Sequence, residues 1–163
     1  MSKRLDLNVA SRGLQLWLKA AVIVPDDPDH NFFDRVPDPR KPGTTMPLCA
    51  VIDTGSTVTS VPLAIVEQIR RKRVLLTSRT PIRRLTFANG SEESLVRTVQ
   101  LQIRLEGASR GGHVTTVRDW GDAADRGVAI LNCRDVIIGM DLLRNWTLHT
   151  CPDLQQTCLS IPE

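Results

Sequence analysis

Cys49-Ala50-Val51-Ile52-Asp53-Thr54-Gly55-Ser56-Thr57-Val58-Thr59-Ser60-Val61-Pro62 runs from apolar residues into an acid and out again into a β-branched run. Residues 48–53 have the composition of a buried strand, and 58–61 that of a second, short one. An Asp at the mouth of a buried strand is costly to ionise unless its neighbours hydrogen-bond it. The next three positions can do so. Gly55 lets the backbone approach a carboxylate and offers its N–H, and Ser56 offers a hydroxyl. A lone Asp after a strand is ordinarily a turn or cap residue, so the surroundings must carry the argument.

Downstream, Pro62 stands where a helix can start, and Ile65, Val66 and Ile69 form one apolar stripe over residues 62–72. The basic end of that helix, Arg70-Arg71-Lys72-Arg73, suits the negative end of the helix dipole. Strands are expected at 82–87 and 95–105 around Asn89-Gly90, a strong hairpin signal. Val99, Leu101, Ile103 and Leu105 alternate with polar residues, so one face of the second strand is wet. Further short strands are expected at 113–117, 128–131 and 136–138. One or two helical turns over 140–145 follow Gly139, and strands at 146–149 and 158–161 close the chain. Upstream, residues 14–24 read as a long strand. Residues 25–47 carry six prolines and read as a long loop. Residues 1–11 read as a polar N-terminal arm.

The whole is a mainly-β fold, closed or sandwich-like, with one or two short helices. The 163 residues are 41% hydrophobic and 24% charged, which suits one domain, placed at 12–163. Tyr is absent and aromatics are 4%, so Val, Ile and Leu must form the core. A net charge of +3 does not ask for nucleic acid or a membrane surface. The arginines after the helix lack interleaved aromatics for base stacking, so a solvated face is the reading and no nucleic-acid partner is expected. No uncharged run reaches membrane-spanning length and residues 1–8 lack a signal-peptide core, so a soluble cytoplasmic protein is expected. Cys49, Cys133, Cys151 and Cys158 show no CxxC spacing, and no metal is expected. Asp141 reads as a cap for the short helix.

Three features occur in order: the Asp53 stretch, the Asn89-Gly90 hairpin, and Val136-Ile137-Ile138-Gly139-Met140-Asp141-Leu142-Leu143. Together they resemble the retroviral-type (retropepsin-like) aspartic proteases, the single-domain relatives of pepsin. That family's pattern is apolar-apolar-Asp-Thr-Gly-Ala/Ser, a flap hairpin, then apolar-apolar-Gly and a short helix. The resemblance covers about residues 14–146. Ala-Asn-Gly at the flap and Gly-Met-Asp after the apolar run bring the chain closer to bacterial members.

The resemblance implies a retropepsin-like closed β-barrel or sandwich with a flap hairpin at 84–105 and a C-terminal hairpin at 146–162. It implies an aspartic endopeptidase that uses no cofactor and acts on a peptide or protein. Asp53 matches the catalytic aspartate. Thr54 matches the residue that braces the two active-site loops across a dimer. Gly55 matches a backbone donor, and Ser56 the hydroxyl that orients the carboxylate. Ala88, Asn89, Gly90 and Ser91 match the flap tip that closes over substrate, and Gly139 a structural glycine beside the active-site loop. Two-domain relatives carry two Asp-Thr/Ser-Gly motifs and this chain carries one, so a homodimer is implied, with Asp53 of each copy on the two-fold axis. The family's usual acid just after the Asp-Thr-Gly-Ala run and Arg just after the later glycine are both missing, replaced by Thr57 and Met140. The alternative is a catalytically silent dimerisation or peptide-binding module of the same fold.

Overall fold

Alternation along the strands decides what is buried. In a computed structural model, described for residues 2–9, 15–24, 32–87, 89–107, 114–116, 127–150 and 157–162, three sheets and two helices form. The largest sheet contains β2 (Asn8–Val9), β3 (Leu16–Ile23), β4 (Phe32–Phe33), β7 (Cys49–Ile52), β8 (Ser60–Pro62), β9 (Ser78–Thr86), β10 (Glu92–Val99), β11 (Gln102–Glu106), β12 (Val114–Thr116), β13 (Val128–Leu131) and β14 (Val136–Ile138). β5 (Arg35–Pro37) and β6 (Thr45–Pro47) pair with each other. β1 (Ser2–Asp6), β16 (Cys158–Pro162) and β15 (Thr147–His149) make a third sheet in that order. The helices are α1 (Leu63–Arg71) and α2 (Met140–Leu143). Neither is long and apolar enough to cross a membrane.

The fold is mainly β, as expected. Among the described residues the core is built mainly from Leu, Ile and Val, and Phe33 is its one buried aromatic. α1 buries Ile65, Val66 and Ile69, and each such side chain stabilises the fold by about 1.5–3 kcal/mol. Pro62 is its N-cap, one residue outside the helix, and Arg70 and Arg71 occupy its last turn.

Several expectations need correction. The large sheet is not a closed barrel among the described residues. Its path runs β12-β11-β3-β7-β14-β8-β13-β10-β9, and the two end strands do not pair. β9 is poorly built to accept another strand. Two of its residues, Thr80 and Pro81, stand opposite Arg97 alone in a register shift, and Pro81 has no N–H to donate. The N-terminal segment is not a free arm. β1 pairs with β16 over five residues, and Leu5 and Leu7 are buried.

The segment 25–47 is not loop throughout. Pro37 and Pro47 end β5 and β6, a two-stranded sheet off the main path, where missing donors cost little. The strand expected at 95–105 is two strands. β10 belongs with β9 and β13, whereas β11 pairs with β3 and β12. The Gln100 N–H turns to the Thr77 carbonyl at 2.8 Å between them. The hairpin expected around Asn89-Gly90 is therefore made by β9 and β10, which pair from Ser78 opposite Val99 at the open end to Thr86 opposite Glu92 near the tip. The turn expected beyond Gly107 and the loop at 118–126 lie outside the described residues.

One topological fact places the site. β14 lies between β7 and β8, parallel to β7 with Ile138 opposite Ile52. The chain leaving β7 must therefore cross the end of β14 to reach β8. Residues 53–59 make that crossing.

Candidate active site

Asp53 is the first residue past β7 and is exposed. Its N–H continues the parallel ladder by donating to the Ile138 carbonyl at 3.0 Å. The chain then turns: the Ser56 N–H donates to the Asp53 carbonyl at 3.2 Å, and the Gly55 N–H donates to Asp53 Oδ1 at 2.9 Å. A Cβ on Gly55 would stand 3.2 Å from that same oxygen, tighter than ordinary packing allows. Gly55 thus serves the carboxylate as expected, by donating and by leaving room.

Ser56 does not. Its hydroxyl donates to the Val58 carbonyl at 2.8 Å rather than to the carboxylate. That carbonyl needs a donor because the crossing turns it toward Gly139 instead of into a ladder. Thr54 is exposed, and among the described residues its hydroxyl has no partner.

Gly139 is where the two backbones meet. A Cβ built there would lie 2.3 Å from the Val58 oxygen and 3.0 Å from the Ser56 oxygen. Its φ of −97° is open to any residue, so the requirement for glycine is steric alone. Met140 N–H donates to the Ser56 carbonyl at 2.7 Å, fastening α2 to the loop. Asp141 is not the N-cap of α2; Gly139 holds that position, with no side-chain cap. The Asp141 carboxylate instead faces Thr59, which donates its N–H at 2.9 Å and its hydroxyl at 2.6 Å. The sequence reading missed this contact, which spans 82 positions.

The β9–β10 hairpin packs over the same region. Ile82, Leu85, Phe87 and Val96 cluster with Val58 of the crossing loop and with Ala129, Leu131 and Cys133. At its tip the Phe87 N–H donates to the Ser91 carbonyl at 2.8 Å and the Gly90 N–H to the Phe87 carbonyl at 2.9 Å. Gly90 has φ +82°, the left-handed region glycine favours. Asn89 Oδ1 accepts both the N–H and the hydroxyl of Ser91. Ala88 lies outside the described residues. Leu95 on the hairpin is unusual: it is 66% exposed and has φ +55°. A non-glycine residue held there stores about 1–3 kcal/mol of strain.

Cys133 lies under this hairpin. Burial first, and then the charge of Asp135, push its thiol up to about 11. Cys49 is raised too, by burial and the same carboxylate. The folded chain therefore holds the Cys133 proton above the ordinary value of 9.0. Its contribution to stability is complete below about pH 9 and lost as pH rises toward 11. Thermal melts across that window should fall more steeply for the wild type than for Cys133→Ser. Alkylation of this thiol should be slow at about pH 8. Cys158 is buried and a free thiol, and Cys151 lies outside the described residues. Among the described residues no group of three or more His, Cys, Asp or Glu side chains could hold a metal ion.

A separate pocket of about 400 Å³ lies on the other part of the sheet, lined by Lys19, Asp34, Arg35, Arg104 and Glu106 among others. None of its lining residues belongs to 53–59 or 136–143. No family model matches the chain, and no curated protein matches it.

Proposed function

We propose that the chain is a homodimeric aspartic endopeptidase of the retropepsin-like type. The observation that carries this reading is the setting of Asp53. An exposed carboxylate accepts a backbone N–H from its own turn, and that turn crosses a glycine it could not cross over any other residue. The hairpin packs on the same loop through Val58. The order of these parts is that of the family the sequence resembles.

Peptide hydrolysis by two carboxylates needs one to be ionised and one protonated, because like charges so close cannot both ionise. Among the described residues no second carboxylate bonds Asp53, so the second comes from Asp53 of another copy on a two-fold axis. The ionised Asp53 takes a proton from water, and the water oxygen attacks the scissile carbonyl. The protonated partner donates to the carbonyl oxygen. As the C–N bond of the tetrahedral adduct breaks, the carboxyl that took the water proton gives it to the leaving amine nitrogen, while the hydroxyl proton returns to the partner carboxylate. Thr54, exposed beside Asp53, is the residue that braces the two loops, and residues 89–91 cover the bound peptide.

The placement of the Ser56 hydroxyl on Val58 favours the second reading, a catalytically silent dimerisation or peptide-binding module. The two separate on incubation with a denatured protein mixture at mildly acidic and neutral pH. Cleavage blocked by a statine-type transition-state analogue is the expected result; binding without cleavage supports the module.

A further inference from the structure

We infer that Asp141 and Thr59 form a clamp that positions the Asp53 loop, making Asp141 a positioning residue; its effect on catalysis rests on the function proposed above. The loop over residues 53–59 is fixed at its start by the Asp53 N–H on Ile138 and at its middle by the Met140 N–H on Ser56. Its far end is held by Thr59, which is 1% exposed. The Thr59 hydroxyl donates to Asp141 Oδ1 and accepts the Gly139 N–H at 3.1 Å. The Thr59 N–H donates to Asp141 Oδ2, and the Leu142 N–H donates to Oδ1 at 2.9 Å. The Thr59 carbonyl accepts the Ala129 N–H at 3.0 Å, tying the same residue to β13.

Each of these groups has its partner inside the network. Hydrogen bonds to a carboxylate are the strong kind, and removing one member leaves buried partners unpaired. The acid and the Arg of the family pattern are both missing here, with Thr57 and Met140 in their places. The clamp joins the same two segments, with the acid on the α2 side and a hydroxyl and an amide on the loop side. Thr59 is six positions from Asp53, and Ser56, held by Met140, lies between them. Loosening the far end lets the turn at residues 53–56 shift against β14, and a small misplacement of a reacting carboxylate is costly in rate. Contacts between the hairpin tip and substrate stay as they are, so KM should move little.

The test compares wild type with Asp141→Ala, Asp141→Asn, Thr59→Val and Thr59→Ser. Two readouts are used: kcat and KM on a fluorescently labelled casein, and amide hydrogen exchange. We expect Asp141→Ala and Thr59→Val to lower kcat by about ten-fold or more with KM within about two-fold. The double variant should be no worse than the worse single, because the two act as one unit. Thr59→Ser, which keeps the hydroxyl, should restore most of kcat. Exchange at residues 53–59 and at the Gly139 and Met140 amides should speed up by about ten-fold, while β3 and β11 stay protected.

Unchanged exchange at those amides overturns the clamp, whether or not the wild type cleaves casein. Faster exchange with unchanged kcat overturns the positioning role. If wild type cleaves nothing, the proposed function fails while the exchange result still judges the clamp. Should Asp141→Ala fail to fold, Asp141→Asn keeps the volume but sets an amide NH2 against the Thr59 N–H, and the same two readouts decide.

Discussion

Asp53→Asn should reduce peptide cleavage by at least about a thousand-fold, because the proposed mechanism gives both proton-transfer roles to this residue, one in each copy. An amide can neither take the proton from water nor give one to the carbonyl oxygen. The fold should not notice. Asp53 is exposed, and the bond from the Gly55 N–H to Oδ1 can be kept by an Asn side-chain oxygen. Its remaining bonds are made by its backbone, to Ile138 and Ser56. Stability should stay within about 0.5 kcal/mol of wild type, as for other exposed positions. Cleavage of a denatured protein and thermal unfolding, measured on the same preparations, check both halves. Equal cleavage by the two proteins would remove Asp53 from the chemistry.

The second large effect is on stability. Gly139→Ala places a methyl group 2.3 Å from the Val58 oxygen, a backbone atom that cannot rotate away. Relief requires lifting the 53–59 loop from β14. That breaks the Met140 to Ser56 bond at 2.7 Å and the Gly139 to Thr59 bond at 3.1 Å. The expected cost is about 3 kcal/mol or more, at the upper end for overpacking. Gly90→Ala is the comparison. Nothing lies within 4 Å of its added Cβ, and only the φ of +82° opposes it, for about 1 kcal/mol. Denaturant unfolding should rank Gly139→Ala well below Gly90→Ala. The reverse order would mean the loop yields easily at the crossing.

The strands that proved legible were those with a strong local signal. β13 and β14 occur where the apolar runs 128–131 and 136–138 place them, and α1 buries the Ile65, Val66 and Ile69 stripe. The N-terminal segment does not read as core because Leu5 and Leu7 are isolated among polar residues; pairing of β1 with β16, more than 150 positions away, buries Leu5, and the Leu7 N–H on the Thr157 carbonyl carries the contact one residue further. The break between β10 and β11 left no mark, since buried Val99, Leu101, Ile103 and Leu105 keep one alternation across a change of partners. A closed or sandwich-like sheet is the reading of many short strands as well as of the family pattern, and Pro81 with its bulge on β9 is a local sign against closure.

At the site, Gly55 is legible because glycine lets the backbone approach a carboxylate, and Gly139 is legible through the family resemblance alone. The Thr59 to Asp141 contact was not, because nothing in a short polar residue says which acid 82 positions away it will face. Ser56 was legible as a donor but not as to its acceptor. The crossing over β14 turns the Val58 carbonyl toward Gly139, and the Ser56 hydroxyl donates to it.

The central claim is that one active site takes Asp53 from each of two copies. It is tested most directly by mixing wild type with Asp53→Asn at constant total protein, after subunits have exchanged. If random pairing forms the sites, an equal mixture has two intact carboxylates in about a quarter of its dimers, and activity should fall to about a quarter of the all-wild-type value. A fall to about one half, in simple proportion to the wild-type chain present, would show that each chain works alone and would contradict the account.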